Sequence, residues 1–77
     1  MVNHFFAAVR SMKITVNGQE RALAAPVTVA VLLDALEMAG KRVAVEVNQE
    51  IVPRSQHAQF QLNDQDRVEV VNAIGGG

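Results

Sequence analysis

Only one stretch of this sequence repeats its apolar residues at helical spacing, whereas the segments after Met12 alternate in twos. Val29, Leu32, Leu33 and Leu36 share one side of a helix, with Asp34 and Glu37 on the polar side. Thr28 suits the N-cap, and Val27 is placed to staple onto Leu32 one turn later. Gly40 supplies a stop, and Lys41 and Arg42 would complement the helix dipole. This spacing predicts an amphipathic helix of about three turns, with Glu37 and Lys41 as an i,i+4 pair.

The remaining segments have the two-residue period of half-buried strands. Lys13, Ile14, Thr15 and Val16 alternate polar and apolar, Asn17-Gly18 is a type I′ hairpin signal, and Glu20 to Leu23 can return antiparallel. Val43, Val45 and Val47 alternate with Ala44 and Glu46 in a third strand that Asn48 and Gln49 turn. Ile51 and Val52 form a short strand ended by Pro53, and Arg54 to Gln61 reads as a loop or short helical turn. Asn63 to Asp66 make a second turn before the last strand, Arg67 to Val71, in which Val68, Val70 and Val71 are apolar enough for a central place.

A hairpin, one helix and a second group of strands predict an α+β roll in which a mixed sheet packs on one main helix. A last strand parallel to the first satisfies the right-handed crossover rule. That is the β-grasp, or ubiquitin-like, arrangement, spanning residues 12–77 as one domain. Residues 1–11 read as an N-terminal extension, either an expression remnant or translation from a start upstream of Met12.

Composition excludes several kinds of chemistry. The 77 residues include no cysteine, so disulfides, thiolate nucleophiles and sulfur-ligated metals are absent, and the two histidines lie far apart. Stability must come from packed Val, Leu and Ile. Seven basic and eight acidic residues give a net charge of -1, which argues against a nucleic-acid partner. No apolar stretch reaches the ~20 residues needed to span a bilayer. His4 to Val9 is too short for a signal peptide and lacks a basic start. These features predict a cytoplasmic protein.

The chain closes on Ile74, Gly75, Gly76 and Gly77. Glycine adds nothing to a core and loses the most entropy on ordering, so this tail is expected to lack a fixed conformation in the isolated protein. What glycine offers is a slim backbone that passes through a narrow channel and an unhindered carbonyl carbon. Three extended glycines reach about 10 Å beyond a central strand. The spacing therefore points to a tail that enters another protein's active site.

Met12-Lys13-Ile14-Thr15-Val16-Asn17-Gly18, Val43 to Asn48 with Ile51-Val52-Pro53-Arg54, and Asp64 to Val71 leading to Ala73-Ile74-Gly75-Gly76-Gly77 together resemble the ThiS family, the sulfur carrier proteins of thiazole synthesis in the thiamine pathway. The resemblance covers Met12 to Gly77. It departs at Gln65, where the family typically has glycine, so that turn must avoid a positive φ or accept strain.

The resemblance implies a protein co-substrate and not an enzyme. A ThiF-type adenylating enzyme would use ATP and Mg²⁺ to turn the Gly77 carboxylate into an acyl-adenylate. Sulfur from a cysteine desulfurase relay would replace AMP, and the resulting thiocarboxylate would serve thiazole synthase. The domain itself would bind no cofactor. Ile74, Gly75 and Gly76 would contact the partner. Arg54 reads either as a solvated charge ending a strand or as a contact with the adenylating enzyme or the domain's own loops.

Other readings stay open. The small subunit of molybdopterin synthase shares the fold and tail but usually has a longer chain between helix and last strand. A ubiquitin-like modifier would pass its glycine to a lysine amine, and a plain β-grasp interaction module would have an inert tail. Among further polar residues, His57 reads as a packing histidine, and Asp64 and Asp66 read as turn residues. Phe60 and Leu62 suit the core or sheet edge, although an exposed apolar patch on the sheet would offer a docking face.

Overall fold

The alternating segments become a sheet and the one helical segment its cover. A computed structural model describes residues 10–72. β1 (Arg10–Val16) and β2 (Gln19–Ala25) form an antiparallel hairpin, α1 (Val29–Ala35) follows, and β3 (Val43–Val47), β4 (Glu50–Val52) and β5 (Arg67–Asn72) complete the fold. The strand order is β2-β1-β5-β3-β4, with β5 in the centre, parallel to β1 and antiparallel to β3. This is the mixed β-grasp sheet that the element order predicts. β1 opens at Arg10, ahead of the regular alternation, because Arg10 and Ser11 pair with Ala25 and Ala24.

The pleat of each strand sorts its residues between two faces. Met12, Ile14 and Val16 of β1, Val45 and Val47 of β3, Val52 of β4, and Val68 and Val70 of β5 form one core with Val29, Leu32 and Leu33 of α1. Ile14, Val29, Leu32, Val45 and Val68 are fully buried, and each such side chain contributes roughly 1.5–3 kcal/mol. Val71, one step beyond Val70, is 56% exposed on the outer face. The apolar trio read in this strand is thus split by the pleat.

The N-terminus of α1 is satisfied from two sides. Thr28 caps it, its hydroxyl accepting the Val31 N–H at 3.2 Å. The loop before β5 does the rest: the N–H groups of Val29 and Ala30 donate to the carbonyls of Phe60 and His57. That loop begins with a 3₁₀ turn, Arg54–Gln56, after Pro53. Leu62 is buried and Phe60 packs against the core. His57 is a packing histidine, with Nε2 3.1 Å from the carbonyl of Val52.

The helix is shorter than its spacing predicts. It has seven residues, about two turns, and Leu36 is its C-cap. Glu37 takes the left-handed conformation, φ +62°, that glycine usually supplies there. The Met38 N–H then donates to the Leu33 carbonyl at 2.8 Å and the Glu37 N–H to the Asp34 carbonyl at 3.0 Å, the paired bonds of a Schellman motif. Gly40, φ +81°, therefore shapes the following turn and does not stop the helix. Lys41 and Arg42 lie beyond the last helical turn, which holds no basic residue, and Glu37 has left the helix on which it would pair with Lys41. The ion pair found among the described residues is an exposed one, Lys13 with Glu20 at 3.8 Å.

Candidate functional site

The part of β5 from which the tail departs is held from both sides. On one side Val43 and Ala44 of β3 face Asn72 and Val71. On the other, β1 ends at Val16 and its chain turns away through Asn17 and Gly18, whose φ values of +52° and +85° are those of the type I′ turn expected from Asn-Gly. The Asn17 side chain fills the vacated place. Its Oδ1 accepts the Val70 N–H at 2.8 Å and its Nδ2 donates to the Val70 carbonyl at 3.0 Å, while its main-chain N–H donates to the Val68 carbonyl at 2.9 Å.

The start of β5 is tied down by another asparagine turn. Asn48 and Gln49, at φ +53° and +71°, join β3 to β4. Asn48 Oδ1 accepts the Arg67 N–H at 3.0 Å and Nδ2 donates to Asp66 Oδ1 at 2.9 Å, and Asp66 Oδ2 accepts the Asn63 N–H at 2.8 Å. The buried Asp66 carboxylate thus serves the backbone, as the turn reading expects.

Asp64 likewise serves a turn. Its Oδ1 accepts the Lys13 N–H at 2.7 Å, and this bond, followed by one from the Gln65 side chain, holds its carboxyl below the usual value. Gln65 accepts the strained geometry, with φ +73°.

Of the residues assigned to the tail chemistry, Ile74, Gly75, Gly76 and Gly77 lie outside the described residues. Arg54 is exposed at the first position of the 3₁₀ turn. Val70, Val45 and Val52 share one row across β5, β3 and β4, so the chain reaches Arg54 at the same end of the sheet where β5 finishes. Two strand spacings, about 10 Å, separate Val52 from Val70 within that row. The outer face near that end carries apolar and acidic side chains in adjacent rows: Val71 lies opposite Ala44, and Ile51 of β4, 72% exposed, lies in one row with Glu46 and Glu69.

Sequence reading missed the role of the Asn17 side chain, because Asn-Gly is already explained by the turn. It also missed the outward aim of Val71 and Ile51, for which strand parity was the available signal.

Among the described residues, no three His, Asp or Glu side chains come together to hold a metal ion, and no helix is long and apolar enough to cross a membrane. A concavity of about 300 Å³, lined by Arg10, Met12, Ala25, Leu62 and Asp64 among others, lies at the end of the sheet where β1 begins. Because β1 and β5 are parallel, that is the end away from the tail.

Comparison with known proteins places this geometry. The ThiS family model matches residues 4–77. The sulfur carrier protein ThiS of Escherichia coli K12 is 39% identical over 66 residues, covering 86% of this chain and all of that one. A thiazole synthase of Paramagnetospirillum magneticum is 50% identical over 66 residues, and this chain spans only 20% of its length. In structure, the thiamine biosynthesis protein ThiS of Geobacter metallireducens superposes with a TM-score of 0.75 at 36% identity, covering 86% of this chain and all of that one. The chain belongs to the ThiS family.

Proposed function

We propose that this protein is the sulfur carrier of thiamine biosynthesis, and that its reactive group is the main-chain carboxylate of Gly77. A carboxylate resists sulfur nucleophiles, because its charge repels them and oxide leaves poorly. Activation by a ThiF-type enzyme solves both problems: a carboxylate oxygen attacks the α-phosphorus of ATP, pyrophosphate departs, and the acyl carbon now bears AMP as its leaving group. Mg²⁺ belongs to that partner and to its ATP. The outer sulfur of a persulfide on the cysteine desulfurase relay attacks the acyl carbon and the bond to AMP breaks, giving an acyl disulfide. A thiol, such as the excess cysteine, then attacks the relay's sulfur, the S–S bond breaks, and Gly77 leaves as a thiocarboxylate while the two thiols end as a disulfide. The carrier contributes a body to grip and a tail to present.

The observation that carries this reading is the placement of β5. It is the central strand, paired through Asn72, so residues 73–77 start from a fixed root and span at most about 17 Å when extended. That reach suits a buried active site in a protein docked against the sheet. On the outer face beside the root, Val71 and Ala44 form one row and Ile51 with the carboxylates of Glu46 and Glu69 the next, a mixed apolar and acidic docking face, and Arg54 adds a cation at the same end. The match to a segment of a thiazole synthase supports thiazole synthase as the acceptor.

A reconstituted mixture tests the assignment. The carrier, its adenylating enzyme, ATP, a cysteine desulfurase and cysteine are combined with thiazole synthase and its small-molecule substrates, and thiazole is measured. Thiazole that depends on this chain is the expected result. Sulfur passed only to the large subunit of molybdopterin synthase would reverse the acceptor, and capture of the chain by lysine amines would reassign it as a modifier.

A further inference from the structure

In a parallel pair, one residue receives an N–H from the neighbouring strand through its carbonyl, and the residue two places on returns an N–H. Applied to β1 and β5, the rung at Val70 would need the carbonyl of residue 17 and the N–H of residue 19. Neither is available, because the left-handed turn at Asn17 and Gly18 carries the chain off into β2. The Asn17 carboxamide supplies both groups in one planar unit, at 2.8 and 3.0 Å.

We infer that Asn17 is a positioning residue for the tail: its side chain acts as a substitute peptide that extends the β1 ladder by one rung and secures the end of β5 on its β1 side. This rests on the carrier reading above and deepens it. Beyond Val70, Val71 and Asn72 keep their pairing with β3 on one side. Without the Asn17 rung, the end of β5 becomes the edge of a ladder and frays, and the adenylating enzyme must order additional residues before the terminal carboxylate reaches its ATP. The loss falls on capture of the carrier and not on the chemistry once it is seated.

Asn17→Gly separates the clamp from the turn, because glycine adopts a positive φ freely and keeps the hairpin shape. Two measurements are made on the full chain. In amide hydrogen exchange by NMR, Asn17→Gly is expected to lower protection of Val70 at least tenfold while the Ile14 and Val45 amides of the sheet interior stay near wild type. In ATP–pyrophosphate exchange with the adenylating enzyme, KM for the carrier is expected to rise roughly tenfold, equivalent to reordering about one residue, with kcat within twofold. Asn17→Asp, which keeps the acceptor and loses the donor, should fall between.

Thr28→Ala serves as the control, since it weakens the helix cap about as much without touching β5 and should leave KM unchanged. A KM for Asn17→Gly within twofold of wild type, an equal rise in Thr28→Ala, or unaltered protection of Val70 would each overturn the inference. No pyrophosphate exchange with the wild-type chain would overturn the carrier reading and this inference together, whereas wild-type exchange with an unaffected variant would overturn this inference alone.

Discussion

The β1–β2 and β3–β4 turns have nearly the same backbone shape, yet they hold opposite ends of β5 in different ways. Asn17-Gly18 and Asn48-Gln49 both place two residues at positive φ, and in both the asparagine side chain reaches across to β5. At the start of β5 the bonds form a network, Arg67 to Asn48 to Asp66 to Asn63, closed around a buried carboxylate. At the other end a single carboxamide grips Val70 on the β1 side, while β3 alone pairs with Val71 and Asn72. One end is closed by a network, and the other depends on one side chain and the pairing with β3. A carrier needs both, because a tail without a fixed root is presented nowhere in particular.

The largest effect comes from opening the closed end. Asp66→Ala leaves the Asn63 N–H and the Asn48 amide without their acceptor, and we expect a loss of about 3 kcal/mol in urea unfolding. The exchange protection of Val70 should outlast that of Arg67, and equal loss at both would show that the two ends are not independent.

Next in size is the turn at the tail end. Gly18 has φ +85° and open space where a Cβ would stand, so Gly18→Ala costs only conformational energy, about 1 kcal/mol. Thermal unfolding measures it. The converse change, Gln49→Gly, relieves a left-handed glutamine and should gain roughly 0.5–1 kcal/mol, as should Gln65→Gly. A loss in either would mean that the side chain contributes more than its backbone strain.

The smallest effect is a pH dependence. The exposed carboxyl of Asp64 is held below its usual value chiefly by the Lys13 N–H. Its folded pKa lies below its unfolded one, so the stabilisation is present above the ordinary aspartate range and is lost as pH falls through the folded value. Asp64→Asn should therefore lower stability slightly at neutral pH, leave it nearly unchanged at low pH, and so flatten the acid limb of the stability curve below about pH 4. An unaltered acid limb would remove Asp64 from the clasp that joins this turn to β1.

Much of this was legible in the sequence, for physical reasons that differ by region. Asn17-Gly18 declares its turn because few dipeptides take two positive φ values cheaply, and the valine alternation of β3 and β5 declares the sheet. The end of α1 was misread because glycine was the expected left-handed residue, whereas Glu37 takes that conformation with two backbone bonds in support. The Asn17 rung was not legible at all, since it joins residues 53 apart and depends on strand register. Arg54 could be read as a strand end, but its place at the tail end of the sheet follows only from the shared row of Val52, Val45 and Val70.

The central claim is that the closed body exists to present Gly77 for sulfur. Its most direct test is the intact mass of the chain after incubation with the adenylating enzyme, ATP, a cysteine desulfurase and cysteine. The account predicts a gain equal to one oxygen replaced by one sulfur, abolished by deleting Gly77 and reduced in initial rate by Asn17→Gly. An unchanged mass for the wild-type chain, or a gain that persists without Gly77, would contradict it.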